Sequence, residues 1–329
     1  MLTKEAKNIL VIQLAGLGDM VLATPTLSEL RQLYPHTGIF LLTNSRSADI
    51  VRGSPDIDGI FIADNLAGFL KLIKKIRSCH FDLVINLYRL HSFRGAIKML
   101  LLFSAIGGKY WVGRNTDGRG FFYHLKVKEQ LSDTRHEVEH KLDIITALGG
   151  KIKDINFKLG YDKENELFIQ GLLKKEGIRE EDTLIGINCT TVSLGRNWTA
   201  AGYHQLTEQL IRDLPVKVAF CGSRLNRKIF DDIKIGLSVR VIDLVGRLTI
   251  KQLVAFIRRC NLFISPDSGP AHIASVLKVP LVSLFGEGEY DKFRPYGDEK
   301  KIRIIRTPLK LITGERVAEQ VKQLLKEYA

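Results

Sequence analysis

Residues 8–21 read Asn8-Ile9-Leu10-Val11-Ile12-Gln13-Leu14-Ala15-Gly16-Leu17-Gly18-Asp19-Met20-Val21. The apolar run from Asn8 to Leu14 is a buried strand, and the two glycines after it permit a tight turn and close approach of a ligand to the backbone. As a G-x-G-x-x-G dinucleotide fingerprint the segment fails, because Val21 stands where the third glycine would be. What remains is a carboxylate, Asp19, at the carboxyl end of a strand, where open parallel sheets place their ligands. Two readings of Asp19 follow: a cap for the next helix, or an acid–base group.

The same alternation runs outward from this segment. Thr26 to Leu33 reads as a helix, Ile39 to Thr43 as a strand, Leu66 to Arg77 as a helix and Asp82 to Leu87 as a strand. Glu137 to Leu148 is a helix with Val138, Leu142, Ile145 and Leu148 on one side, stopped by Gly149-Gly150. After a polar stretch at Lys151 to Asn165 the rhythm restarts, with strands at Thr183 to Asn188, Val216 to Phe220, Leu262 to Ser265 and Leu281 to Phe285. Helices at Glu166 to Lys175, Ala200 to Arg212, Arg227 to Ile235, Ile250 to Arg259 and from Pro270 lie among them. This βαβ pattern predicts an α/β protein of doubly wound parallel sheets, in two halves joined near residue 160. The last helix, Gly314 to Tyr328, suits either half.

At 329 residues the chain has room for about two domains of ordinary size. With 45% hydrophobic and 26% charged residues it is neither a disordered polymer nor an integral membrane protein. The N-terminus through Lys7 is charged, and the apolar segment from Ile9 to Leu14 is too short for a signal-peptide core, so a cytoplasmic location is expected. Four cysteines (Cys79, Cys189, Cys221, Cys260), widely spaced and without C-x-x-C, point to reduced thiols rather than to disulfides or a thiolate zinc site.

The net charge is +13, and between Tyr88 and Lys128 eight cations face a single acid, Asp117. Arg89, Arg94, Lys98, Lys109, Arg114, Arg119, Lys126 and Lys128 are interleaved there with Ile97-Lys98-Met99-Leu100-Leu101-Leu102-Phe103, Tyr110-Trp111 and Phe121-Phe122-Tyr123. Such a patch suits an anionic lipid surface, an acidic glycolipid or nucleic acid, and it also suits a plain solvated face.

Three further constellations carry chemistry. In Ser265-Pro266-Asp267-Ser268-Gly269-Pro270-Ala271-His272 a strand runs into a helix, whose first-turn N–H groups and dipole suit a phosphate, with His272 and Asp267 beside it. Asn188-Cys189-Thr190-Thr191 and Arg196-Asn197-Trp198 place hydroxyls and a guanidinium after another strand, which suits phosphate oxygens or an ordinary polar loop. His136-Glu137-Val138-Glu139-His140 matches H-E-x-x-H, but no third ligand stands out downstream, and the match is read as chance rather than zinc.

Taken together, the chain resembles glycosyltransferase family 9, the ADP-heptose:lipopolysaccharide heptosyltransferases. Gly18-Asp19 with Thr24-Pro25 is similar to that family's N-terminal segment. Asp267-Ser268-Gly269-Pro270-Ala271-His272-Ile273-Ala274, followed by Val279-Pro280 and Leu284-Phe285-Gly286, is similar to its D-[ST]-G-x-x-H-[LI]-A signature, and the His136-Glu137-Val138-Glu139 helix is similar to another of its segments. The chain departs from the family pattern at Arg196-Asn197-Trp198-Thr199, where a basic residue followed by Trp-Pro is frequent, and at Asn226, where an acid is frequent.

The resemblance implies a GT-B fold, two Rossmann-like domains facing across a cleft. Residues 1–160 would bind acceptor, residues 161–313 would bind the nucleotide sugar, and the helix at 314–329 would pack back on the N-terminal domain. It implies inverting, metal-independent transfer of a heptose-like sugar, without a cofactor, from an ADP-sugar such as ADP-heptose to a lipopolysaccharide core or related acidic glycolipid. Asp19 would be the catalytic base; Thr190, Thr191, Arg196, Asn226, Asp267, Ser268, Gly269 and His272 would bind donor; Gly18, Arg94, Lys98 and Arg119 would bind acceptor. Peripheral contact with the anionic inner membrane on its cytoplasmic face is expected, and nucleic acid is not. The alternatives are a GT-B transferase or epimerase using a UDP-sugar, or a non-catalytic sugar-nucleotide-binding protein.

Overall fold

The computed structural model describes residues 6–64, 68–160, 162–192 and 194–328. The chain divides into two compact units, residues 1–160 and 161–329. The first carries β1 (Asn8–Ile12), α1 (Leu17–Val21), α2 (Thr24–Leu33), β2 (Gly38–Thr43), α3 (Ser45–Val51), β3 (Gly59–Ile62) and α4 (Phe69–Arg77). It continues through β4 (Leu83–Asn86), α5 (Phe93–Ile106), β5 (Tyr110–Thr116), β6 (Leu125–Glu129) and α6 (Glu137–Ala147). The second carries α7 (Lys163–Lys175), β7 (Thr183–Asn188), α8 (Ala200–Asp213), β8 (Val216–Cys221), α9 (Arg227–Lys234) and β9 (Ile242–Asp243). After these come α10 (Ile250–Arg259), β10 (Leu262–Pro266), α11 (Gly269–Val276), β11 (Leu281–Phe285), α12 (Tyr290–Phe293), β12 (Ile302–Arg306) and α13 (Gly314–Tyr328).

Each unit is built on one six-stranded parallel sheet, ordered β3-β2-β1-β4-β5-β6 in the first and β12-β11-β10-β7-β8-β9 in the second. Both orders reverse direction once, between β1 and β4 and between β7 and β10. Such a switch point leaves a crevice at the carboxyl ends of the two central strands. The central strands are covered on both faces, which is why β1 reads as a nearly continuous apolar run rather than an alternation.

Local chemistry explains most boundaries. The predicted helix from Leu66 begins at Phe69, residues 65–67 lying outside the described residues. Helix α6 stops as its glycines predict, with Gly149 in the left-handed region at φ +91°. The first core gathers Leu10, Ile12, Val84 and Phe103 with Phe61, Phe81 and Tyr123. Phe103 meets Trp111 and Tyr123 edge-on with ring centroids 5.4 Å apart.

The last helix corrects an expectation. The buried face of α13, formed by Val317, Ala318, Val321, Leu324 and Leu325, joins the second unit's core beside Tyr203, Leu206 and Leu210 of α8. An amphipathic helix buries its stripe wherever a matching apolar surface waits, and here α8 and its own sheet supply it. The two helices approach closely at Gly314, where a Cβ would fall 2.6 Å from the Leu206 backbone nitrogen. Replacing the fully buried Leu324 by Ala should therefore cost about 2–5 kcal/mol in chemical denaturation. A loss below about 0.5 kcal/mol would mean that this packing does not hold the second unit together.

Candidate active site

Asp19 is the third residue of α1 and stands at the switch point of the first sheet. Gly16 occupies the N-cap position, and the Asp19 carboxyl reaches back to accept its backbone N–H, half of a capping box. The Gln13 amide donates to the Asp19 carbonyl at 3.2 Å. The capping geometry is therefore present, but the side chain has a second property that a surface cap lacks. Burial pushes its pKa up, Glu137 adds to the rise, and Lys141, the Gly16 N–H and Arg114 oppose it. A partly buried carboxyl with a raised pKa at a switch point has the character of a general base.

Around it lies an ionic network that sequence reasoning missed. Arg114, at 1% exposure, engages all five of its N–H donors. Nε and Nη2 bind Glu129 at 3.0 and 2.5 Å, Nη2 and Nη1 bind Glu137, and Nη1 also reaches the Leu87 carbonyl at 3.3 Å. Glu137 also pairs with Lys141, one helical turn along α6 and 0% exposed. Glu129 accepts from the Thr116 hydroxyl at 2.6 Å and lies 3.7 Å from Arg89 Nε. Burial would push both glutamates up, yet the cations outweigh it and hold them below the ordinary carboxylate range. The available signal was the i, i+4 spacing of Glu137 and Lys141, hidden inside the H-E-x-x-H match.

That network corrects the reading of residues 88–128 as one basic surface. Arg89 and Arg114 are buried, and their countercharges, Glu129 and Glu137, lie just past the counted stretch. Lys109 pairs with Asp82 at 2.7 Å. Arg94 and Lys98 are exposed on α5, and Arg119 is partly covered, bound to Asp117 at 3.1 Å with its guanidinium 5.5 Å from the Phe93 ring centroid. Gly18 lies in α1 beside Asp19.

The H-E-x-x-H histidines have other work. His136 caps α6, its Nδ1 accepting from the Val138 N–H at 3.2 Å, and burial holds His140 below the usual imidazole pKa.

In the second unit the residues expected to hold donor gather at the other switch point. Asn188, at the end of β7, donates to the hydroxyls of Ser265 and Ser268 at 3.2 and 3.1 Å, joining the ends of β7 and β10. Ser268 is the N-cap of α11 but makes no side-chain cap. Its hydroxyl donates instead to the Pro266 carbonyl at 3.0 Å, so the first turn at Gly269 keeps its side-chain-free face. His272 lies in that turn and is buried.

The indole N–H of the buried Trp198 donates to the Ile312 carbonyl at 3.0 Å, and Gly202 makes room for the ring, since a Cβ there would fall 2.4 Å from it. This anchor holds Arg196 two residues earlier, its Nη1 3.0 Å from Asp267 Oδ2. Thr190 Oγ accepts the Ser223 N–H at 2.7 Å, and the Asn226 amide donates to the Thr191 carbonyl at 2.6 Å. Asn226 thus braces the loop after β7 in this structure.

A profile of glycosyltransferase family 9 (heptosyltransferase) matches residues 69–315. The chain belongs to that family. Lipopolysaccharide heptosyltransferase 3 of Escherichia coli is 26% identical, over 85% of this chain and 84% of that relative. Among solved structures, a family 9 glycosyltransferase from Veillonella parvula superposes with a TM-score of 0.84 at 24% identity, covering 98% of this chain and 97% of that one. ADP-heptose lps heptosyltransferase II of E. coli gives 0.79 at 21% identity, covering 97% and 99%. The family 9 chain is therefore a glycosyltransferase with the GT-B arrangement of two Rossmann-like α/β units.

The network around Arg114 yields a stability prediction. Arg114→Met strands Glu129 and Glu137 and should cost about 3–5 kcal/mol, whereas Lys98→Met on exposed α5 should change stability by less than about 0.5 kcal/mol. Because both glutamate pKa values are depressed on folding, their contribution is complete above the unfolded value near 4.3 and is lost as pH falls below it. Urea midpoints across pH 3–7 check both statements, and equal losses for the two variants would refute them.

Proposed function

We propose that this glycosyltransferase moves a heptose-like sugar from ADP-heptose to a lipopolysaccharide core or related acidic glycolipid, with inversion and without a metal. The observation that carries the mechanism is Asp19, a carboxylate held partly buried with a raised pKa at a sheet's switch point. It takes the proton from the acceptor hydroxyl as that oxygen attacks the anomeric carbon. Glu137, the neighbouring carboxylate, is locked between two cations, so a single base and a single displacement suit the site.

The departing diphosphate gains negative charge, and Arg196, the α11 start at Ser268 and Gly269, His272 and the hydroxyls of Thr190 and Thr191 are placed to stabilise it. Asp267 takes sugar hydroxyls, and Asn226 holds the nucleotide-side loop. This second switch point offers cations and N–H donors, with Asp267 already facing Arg196, which suits anion binding rather than a carboxylate metal site. The names of the related enzymes support heptose, lipopolysaccharide and the adenine nucleotide.

The acceptor side includes Gly18 and the outer face of α5. Phe93, Ile97 and Leu101 are exposed at four-residue intervals, with Arg94 and Lys98 alongside and Arg119 and exposed Phe121 nearby. Apolar side chains ringed by cations fit an anionic lipid surface, so this face contacts the cytoplasmic leaflet and the acidic acceptor in it. Among the described residues no helix is long and apolar enough to cross a membrane.

Asp19→Asn should lower transfer by about 10²–10⁴ while ADP still raises the melting temperature as it does for the parent. Near-normal turnover would reduce Asp19 to a helix cap, and stronger stabilisation by UDP or GDP than by ADP would refute the adenine donor. For the acceptor face, Arg94→Gln with Lys98→Gln should weaken binding to anionic vesicles and raise the acceptor KM. About 1 kcal/mol per cation gives on the order of 30-fold at low salt, shrinking as salt rises. Unchanged acceptor kinetics and vesicle binding at low salt would show a solvated face only.

A further inference from the structure

We infer that Lys141 and Glu137 are positioning residues that set, with opposite signs, the pH range over which the Asp19 carboxylate is ionised. The geometry begins with α6, whose first turn points into the carboxyl end of the first sheet. Lys141 is wholly buried there, and its ammonium, with three donors, contacts one oxygen of Glu137. Glu137 is fixed from the other side by Arg114, which is tied to Glu129 on β6. The Lys141 ammonium thus cannot swing out to solvent. It stays beside α1, where it and Arg114 attract the Asp19 charge while Glu137 repels it. Through a buried medium such pair interactions are weakly screened, so one charge removed at this range changes a titration measurably.

Every element around Asp19 has been considered for a competing charge. On α3, which packs against α1, Ser47 and Ala48 turn inward, Arg46 is exposed and Asp49 pairs with Arg52 at 3.2 Å. On α2 the buried Glu29 accepts from Gln32 at 3.2 Å. Tyr88, after β4, has its phenol pushed up by burial and by Asp19, so it stays neutral. His140 on α6 is pushed down by burial and then by Arg114. Arg89 lies across Glu129, on the far side of Arg114. The members that act on Asp19 are therefore Lys141, Glu137 and Arg114, and Arg114 also carries the fold.

This inference rests on the reading of Asp19 as the general base, and the experiment separates the two. Asp19 is titrated by NMR in protein carrying ¹³C-labelled aspartate, with Asp19→Asn assigning the resonance, alongside the pH dependence of kcat/KM. Lys141→Met should raise the Asp19 midpoint and move the acid limb of kcat/KM upward by about one pH unit, about tenfold less activity at a fixed pH below the limb. Glu137→Gln should move both downward, and Lys141→Arg should return both toward the parent. A role confined to stability would lower activity at every pH and could not give shifts of opposite sign.

If Lys141→Met does not fold, Glu137→Gln and Lys141→Arg still decide the sign. An Asp19 midpoint unchanged in Glu137→Gln, or moved upward, overturns the inference. Midpoints that shift as stated while the rate profile stays fixed uphold it and overturn instead the assignment of Asp19 as base.

Discussion

Arg114 ties together four pieces of the first unit that are distant in sequence. It rises from β5, grips Glu129 on β6 and Glu137 at the start of α6, and touches the Leu87 carbonyl just beyond β4. With every donor engaged, the guanidinium has one permitted orientation, and so do the two carboxylates. Buried ion pairs seldom add much stability over a well-packed apolar core, because desolvation opposes them. What this network supplies is placement. It fixes the first turn of α6 against the end of the sheet, and that turn puts Lys141 and Glu137 beside Asp19. The switch point would exist without Arg114, since strand order creates it, but its electrostatic character would not.

The division between what could and could not be read from the sequence follows from the range of each interaction. Strand and helix periodicity is local, so the βαβ alternation, the break near residue 160 and the end of α6 at Gly149 were legible. So were Asp19 after β1 and the Ser268-Gly269 turn after β10, because a parallel strand's carboxyl end is a position that sequence order marks directly. The ionic network was not legible. A charge count over residues 88–128 registers Arg89 and Arg114 but misses Glu129, one residue past its end, and Glu137 further on. Only the fold shows that these charges cancel inside the protein while Arg94 and Lys98 remain outside.

The last helix illustrates the same limit. Val317, Ala318, Val321 and Leu324 define a stripe, and a stripe specifies that a face is buried without saying against what. Here the answer depends on α8, more than one hundred residues earlier, and on Gly314, whose lack of a side chain allows the close approach. Trp198 works in a similar way. As one member of a polar loop it looked incidental, yet its indole is the anchor from which Arg196 reaches Asp267.

Both sheets reverse at their fourth strand, but burial gives the two crevices different physics. In the first unit the charges near Asp19 are removed from solvent, so salt screens them little and protons are the species to which they respond. In the second, Arg196 keeps about half of its side-chain surface exposed while facing Asp267, which retains 10%. A half-exposed guanidinium opposite a mostly covered carboxylate is held loosely enough to turn toward an incoming anion, since an exposed pair of this kind contributes at most about 1 kcal/mol. A doubly charged diphosphate offers that cation more than one carboxylate can, and the α11 turn adds donors beside it. The same strand order therefore supports proton transfer in one unit and anion capture in the other, according to which charges the local packing seals and which it leaves in contact with water.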